Sequence, residues 1–259
     1  MKNFISAYLP SQGREMLRQL SHRLQELGQT PLLLWMLCSV FNESQGQGLT
    51  NLGSVFQRFT EIYDIKLKQD VATESRKWWP RLLQELAWRM TCGDNPIEIK
   101  VAVEMREAKA VLVEFLRDKV PYPENCVAEW LEDLLNHHLL QRGVGNKIEF
   151  RHQLIQEYYT AERLLQYLPE LSSATLKRDY LNYVKWTEPL ALMLNLVTQE
   201  SRVLNVVKLA LTVDWKLGSR LAGSVNPQFQ HQTVCLINNL DASPRPLGMT
   251  RVSQCVLNQ

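Results

Sequence analysis

The stretch Leu139-Leu140-Gln141-Arg142-Gly143-Val144-Gly145-Asn146-Lys147-Ile148-Glu149-Phe150-Arg151 decides how this chain is read. Two short strand-like pieces flank the turn Gly143–Asn146. A Gly/Asn turn between period-two segments is a β-hairpin signal. Ile148 and Phe150 alternate with charged residues, so one face of the second piece turns inward. A helix over Gln153 to Leu168 follows at once.

Outward from the hairpin, helical periodicity dominates. Cys126 to His138 places Val127, Trp130, Leu131, Leu134 and Leu135 on one face. Further back, Glu104 to Arg117 turns Ala108, Val111, Leu112 and Phe115 inward. A segment from Ser75 carries Trp78, Trp79, Leu82, Leu83, Leu86, Ala87 and Met90, and its Pro80 predicts a regular helix starting near that residue. Leu52, Val55, Phe56, Phe59, Ile62, Tyr63 and Leu67 form another amphipathic stripe. Thr30-Pro31 reads as an N-cap followed by proline in the first helical position. The helix it opens, Leu32 to Phe41, is apolar nearly all round and is expected to be buried. Before it, Ser11 to Leu27 reads as a helix closed by Gly28, and Asn42 to Gly48 as a polar loop. Helices ending in a hairpin form the winged-helix arrangement.

Beyond Pro169, helices are expected at Lys177–Trp186, Glu188–Val197, Arg202–Val213 and Thr233–Leu240. Their length and spacing are those of HEAT-like α-solenoid helices. The expected fold is therefore mainly α: a helical subdomain over 1–70, a winged-helix subdomain with one short hairpin over 71–168, HEAT-like repeats over 169–240, and a poorly ordered tail over 241–259.

Composition narrows the function classes. The chain has 259 residues, 45% of them hydrophobic, with 29 Lys and Arg against 27 Asp and Glu. The net charge of +2 is neither that of a dedicated nucleic-acid module nor that of a disordered chain. The longest apolar run, Pro31 to Cys38, is far short of the roughly 20 residues a bilayer span needs, so no membrane segment is expected. Met1 to Pro10 lacks the apolar core of a secretory signal. Cys38, Cys92, Cys126, Cys235 and Cys255 form no CxxC pair, which points to reduced thiols and a cytoplasmic location.

Catalytic motifs do not emerge. A phosphate loop needs GxxxxGK[ST], so that backbone N–H groups and a lysine cradle phosphate. Gly143-Val144-Gly145-Asn146-Lys147 lacks the second glycine before the lysine and lies in the hairpin. GxGxxG, HExxH and GxSxG do not occur in the chain. His137 and His138 are adjacent on a helix, so their rings diverge and do not share one metal. No catalytic residue, metal ligand or cofactor is assigned, and the chain reads as a non-enzyme; only a metal-free carboxylate mechanism stays open.

Two strings stand out: Gln29-Thr30-Pro31-Leu32-Leu33-Leu34-Trp35-Met36-Leu37-Cys38, and Phe150-Arg151-His152-Gln153-Leu154-Ile155-Gln156-Glu157-Tyr158-Tyr159-Thr160-Ala161. With helices and a hairpin between them, they resemble NACHT-type signal-transduction NTPases, STAND-class ATPases related to Nod-like receptors, over Phe4 to Leu168. The likeness is to bacterial NACHT proteins with C-terminal helical repeats. It implies a partial protein, holding the helical and winged-helix subdomains and the first repeats, without the upstream Walker A and Walker B elements. It implies that Pro31 lies against a nucleotide base and that His152 contacts the β-phosphate of ADP. ATP or ADP would then bind only when the missing half is supplied. Partners would be proteins: a NACHT nucleotide-binding domain, or a second copy through surface near the starts of the Pro31 and His152 helices.

The residues also have plainer readings. Pro31 fits a helix start through its fixed φ and missing donor. His152, at a strand-to-helix junction, can satisfy free backbone N–H groups. Gln156 and Glu157 are expected to face solvent or a neighbouring subdomain. Trp78, Trp79 and Trp88, near Arg76, Lys77, Arg81 and Arg89, suggest either a stacking platform or core, and helical spacing favours core. Two other functions compete: a winged-helix nucleic-acid-binding regulator and a stand-alone helical-repeat scaffold. The helix before the hairpin carries Glu129, Glu132 and Asp133 and no Lys or Arg, the wrong charge for DNA.

Overall fold

The computed structural model describes residues 1–20, 24, 30–44, 51–66, 70–93, 95, 97–137 and 139–241. The expected C-cap at Gly28, the part of the polar loop from Gln45 on, Leu67, His138, Cys255 and the tail past Asp241 lie outside the described residues. The fold is mainly helical with one small antiparallel sheet. In chain order the elements are α1 (Lys2–Tyr8), α2 (Gly13–Gln19), α3 (Pro31–Glu43), α4 (Leu52–Lys66), α5 (Thr73–Thr91), β1 (Ala102–Glu104), α6 (Met105–Leu116), α7 (Pro123–Asn136), β2 (Leu140–Gly143) and β3 (Lys147–Phe150). There follow α8 (Gln153–Tyr167), α9 (Ser173–Leu176), α10 (Thr187–Leu196), α11 (Glu200–Val213), α12 (Trp215–Gly223) and α13 (Gln230–Asp241). The chain forms two compact units.

The first unit joins Met1–Tyr63 to Ser173–Asn182 and to the chain from Leu190 onward. Helix α3 is buried on most sides, through Leu33, Leu34, Met36, Leu37, Cys38, Val40 and Phe41, as its uniformly apolar composition predicts. Met16 of α2 reaches the Cys38 thiol, and burial pushes that thiol up to about 11, so it stays protonated at neutral pH. Helices α11, α12 and α13 pack each on the next, in the manner of helical repeats. Asn195 fastens segments far apart in sequence. Its Oδ1 accepts from Gly53 N at 3.0 Å, and its Nδ2 donates to Ser224 O. A Cβ on Gly53 would lie 2.7 Å from the Asn195 Cβ, so only glycine permits this approach.

The second unit comprises Asp64–Ser172 and Tyr183–Pro189. Its elements run helix, strand, helix, helix, strand, strand, and then α8, which packs along α5. The sheet has the order β1-β3-β2. Val103 faces Ile148 across β1 and β3, and Leu140 faces Phe150 across β2 and β3. These four side chains are buried beneath the sheet. Gly145 (φ 73°) and Asn146 (φ 59°) turn the hairpin, both in the left-handed region that Gly and Asn tolerate.

Several elements differ from the sequence reading. Helix α5 begins at Thr73, a full two turns before Pro80, because burial of Ser75, Trp78 and Trp79 holds the segment helical despite the missing N–H. The hairpin gains a third strand, β1, whose three residues are too few for a periodic signal. Lys177–Trp186 is not one helix but a π-helical turn (Lys177–Leu181) and a 3-10 turn (Val184–Trp186). Helix α12, capped by the Asp214 carboxylate on Leu217 N at 2.6 Å, has no counterpart in the sequence reading. Its two glycines and short length weaken the helical signal.

Candidate functional site

The residues of the Phe150–Ala161 string converge where β3 passes into α8. Phe150 is buried under the sheet, and Arg151 N still donates to Leu139 O at 3.2 Å. One residue on, His152 leaves the ladder with extended backbone and becomes the N-cap of α8. Its Nδ1 accepts from Leu154 N at 3.1 Å, and its carbonyl accepts from Ile155 N at 3.0 Å. Burial of the half-exposed ring lowers its pKa below the usual 6.5, favouring the neutral form. An accepting Nδ1 on a neutral ring leaves the proton on Nε2. The residue is thus a neutral cap with one N–H donor left over from capping.

Past His152, Gln156, Glu157 and Thr160 of α8 turn inward. Gln156 and Glu157 do not face solvent; both are buried. Gln156 Nε2 donates to Lys100 O at 3.2 Å, which ties the approach to β1 onto α8. Glu157 accepts from Gln153 Nε2 at 2.8 Å. The hydroxyls of Thr160 and Thr91 meet at 3.0 Å. One turn further, Glu162 accepts from Tyr158 Oη at 2.7 Å and from Gln84 Nε2 at 3.0 Å. Burial pushes the Glu162 carboxyl above its ordinary value, while these two donors pull it part of the way back. Gln166 Nε2 donates to Gln84 Oε1 at 3.0 Å, and Arg163 pairs with Glu85 at 3.2 Å. Gln156 and Thr160 of the string, with Glu162, Arg163 and Gln166 beyond it, therefore build a hydrogen-bonded seam between α5 and α8. Sequence reasoning missed this seam. Its signal is polar residues, Gln84 and Thr91, set among the inward apolar positions of α5, and it becomes readable only once α8 is known to be the facing helix.

The tryptophans belong to the core of this unit. Trp78 stacks on Trp130 with centroids 6.2 Å apart, and the Arg81 guanidinium lies 5.5 Å from the Trp78 ring. Trp79 Nε1 donates to Ser75 Oγ at 3.0 Å, and Ser75 Oγ donates to Asp133 Oδ2 at 2.6 Å. His137 packs 5.8 Å from the Trp79 ring. Trp88 is half-buried between Tyr167 and Trp186.

The helix before the hairpin, α7, exposes Glu124 and Glu129. Both carboxylate oxygens of its Glu132 accept from Arg142 Nη2 of β2, at 2.7 Å each. One cation of the hairpin is thereby paired with a carboxylate of its own unit.

Pro31 stands in the first unit and His152 in the second. Pro31 is exposed at the first position of α3, after Thr30, whose carbonyl accepts from Leu34 N at 2.9 Å but whose side chain makes no capping bond. Among the described residues, no three His, Cys, Asp or Glu side chains are grouped to hold a metal ion, and no helix is long and apolar enough to cross a membrane. Cys38, Cys92, Cys126 and Cys235 are free thiols. No protein-family model matches the chain, and no curated protein matches it.

Proposed function

We propose that the chain is a non-enzymatic, protein-interacting regulatory module, in which the second unit is a winged helix and the whole corresponds to the regulatory part of a NACHT-type signal-transduction NTPase. The observation that carries the protein-interaction reading is the charge of α7. In a winged-helix unit the helix before the hairpin is the one offered to DNA, and it must bring cations to phosphate. Here it offers Glu124 and Glu129, and Arg142 is already paired with Glu132. The order helix, strand, helix, helix, strand, strand supports the winged-helix assignment.

The His152 ring is compatible with nucleotide sensing when the NTPase half is supplied. Its Nδ1 is committed to the cap, and Nε2–H is the donor a phosphate oxygen would take. Pro31 would lie against the base. Neither residue supplies the backbone nest and lysine that phosphate charge calls for. The chain alone is therefore expected to bind ATP or ADP poorly and to leave ATP unhydrolysed, acting through a NACHT nucleotide-binding domain or through self-association in the cytoplasm.

Calorimetric titration with ADP, together with light scattering of the chain alone and mixed with a NACHT nucleotide-binding domain, tests this reading. Weak ADP binding with association to that domain or to a second copy is expected. Micromolar ADP affinity, about −8 kcal/mol, overturns the nucleotide part. A monomer at high concentration that ignores the domain overturns the interaction part and favours a self-sufficient helical-repeat scaffold.

A further inference from the structure

The segment Tyr183–Pro189 is unlike the rest of the second unit. The residues before it, Ser173–Asn182, and those after it, from Leu190 onward, belong to the first unit. Its first four residues precede α10 and its last three, Thr187–Pro189, are the first turn of that helix, so its place in the second unit rests on contacts rather than on the neighbouring chain. Two side chains lead the hold. Trp186 is buried, its ring 5.4 Å from that of Trp88 on α5. The Lys185 ammonium donates to Thr91 O at 2.9 Å and to Asn95 O at 3.0 Å. Those carbonyls lie at and just past the C-terminal end of α5, the end where a cation complements the helix dipole.

The backbone around these two residues is irregular. Val184, between Tyr183 and Lys185, is 86% exposed. Val184–Trp186 is a single 3-10 turn, and the approach Lys177–Leu181 is π-helical. Both geometries are used in short pieces, and both are frequent where helices hinge or serve a function. One indole and one charged group thus anchor a single 3-10 turn and the start of α10, few enough contacts to open locally.

We propose that Tyr183–Pro189 is a releasable latch, docked on the end of α5 by Lys185 and Trp186. Docked, it covers Trp88 and caps the Thr91 and Asn95 carbonyls. Released, it becomes part of one continuous run of the chain with the first-unit segments on either side. The chain then crosses between the units only at Tyr63–Asp64 and Ser172–Ser173. The release opens the Trp88 face of α5 without breaking the α5–α8 seam.

Hydrogen exchange read by mass spectrometry on the full chain tests this, in the natural sequence and in Lys185→Met, which keeps the aliphatic stem and removes the charge. In the natural chain, the amides of 183–189 that are hydrogen-bonded when docked, Trp186 N to Tyr183 O and Thr187 N to Val184 O, are expected to exchange at least about tenfold faster than those of 155–164 in α8. Lys185→Met should speed 183–189 by about a further tenfold, as expected for loss of charge-assisted hydrogen bonds, with 82–90 and 155–164 unchanged. Lys185→Arg should lie between. Equal protection of 183–189 and 155–164 in the natural chain overturns the proposal. So does acceleration of α5 and α8 together with the segment in Lys185→Met, which makes the segment part of the unit's cooperative core. Should Lys185→Met fail to fold, the comparison within the natural chain decides alone.

Discussion

His152 has a job at every pH that its ring can perform only when neutral. As N-cap of α8 it must accept from Leu154 N, and protonation removes that acceptor. Because burial holds its pKa below 6.5, the unfolded chain takes up the proton first as pH falls. The contribution is fully present above about 6.5 and is lost as pH drops through the lower folded value. His152→Ala should cost about 1 kcal/mol at pH 7.5, whereas His152→Asn should keep the cap and flatten this part of the pH dependence; urea melts at several pH values measure both. Glu162 runs the other way. Its carboxyl is raised above 4.5, so its contribution is present below that value and is lost as pH rises through the folded one. Glu162→Gln keeps an acceptor for the Tyr158 hydroxyl but sets its amide N–H2 against Gln84 Nε2, so it should remove this part of the pH dependence and lower stability at pH 4, where the native carboxyl carries no charge cost. In the first unit, Gly53→Ala sets a methyl 2.7 Å from the Asn195 Cβ and 3.2 Å from Leu192 O. Overpacking of that kind costs about 1–3 kcal/mol, and thermal melts should show it while α8 keeps its exchange protection.

At the scale of the element, α5 tolerates what isolated helices do not. Pro80 removes the hydrogen bond to Arg76 O in mid-helix. The helix persists because Trp78, Trp79, Leu82, Leu83 and Leu86 bury around it, and because the α8 seam clamps its second half. Pro80 itself is exposed. Pro80→Ala restores the donor and is expected to raise stability, by up to about 3 kcal/mol from helix propensity, seen as a higher melting temperature with the helical spectrum unchanged. The hairpin is the opposite case, where local chemistry rules. Gly145 and Asn146 are both left-handed, and a β-branched residue at either position would be strained whatever packs nearby.

For the whole molecule, the far-UV circular dichroism spectrum should be that of a mainly helical protein with little strand, and a strand content above about a fifth, the ordinary level of mixed domains, would contradict the fold. The first unit draws on both ends of the described chain, and the Gly53–Asn195–Ser224 bridge is one contact that joins them. Asn195→Leu keeps the volume but removes the acceptor of Gly53 N and the donor to Ser224 O. Unpartnered buried groups cost about 1–3 kcal/mol each, so the first unit should melt earlier in Asn195→Leu while the second keeps its protection in hydrogen exchange.

Local, periodic information was enough for much of this protein. The all-round apolar α3, the amphipathic α4, α6, α7 and α8, and the hairpin with its Gly/Asn turn follow from side-chain period and turn chemistry, which act within a few residues. Pro31 at a helix start and His152 at a junction were legible for the same reason. What tertiary structure alone decided is where long-range partners stand. The start of α5 at Thr73, the pairing of β1 with β3, the inward turn of Gln156, Glu157 and Thr160, and the docking of Tyr183–Pro189 each depend on a segment distant in sequence that supplies the acceptor, donor or ring. A polar side chain on a helix reads as exposed until the facing helix brings it a partner, because burial of a polar group is penalised only when that partner is absent.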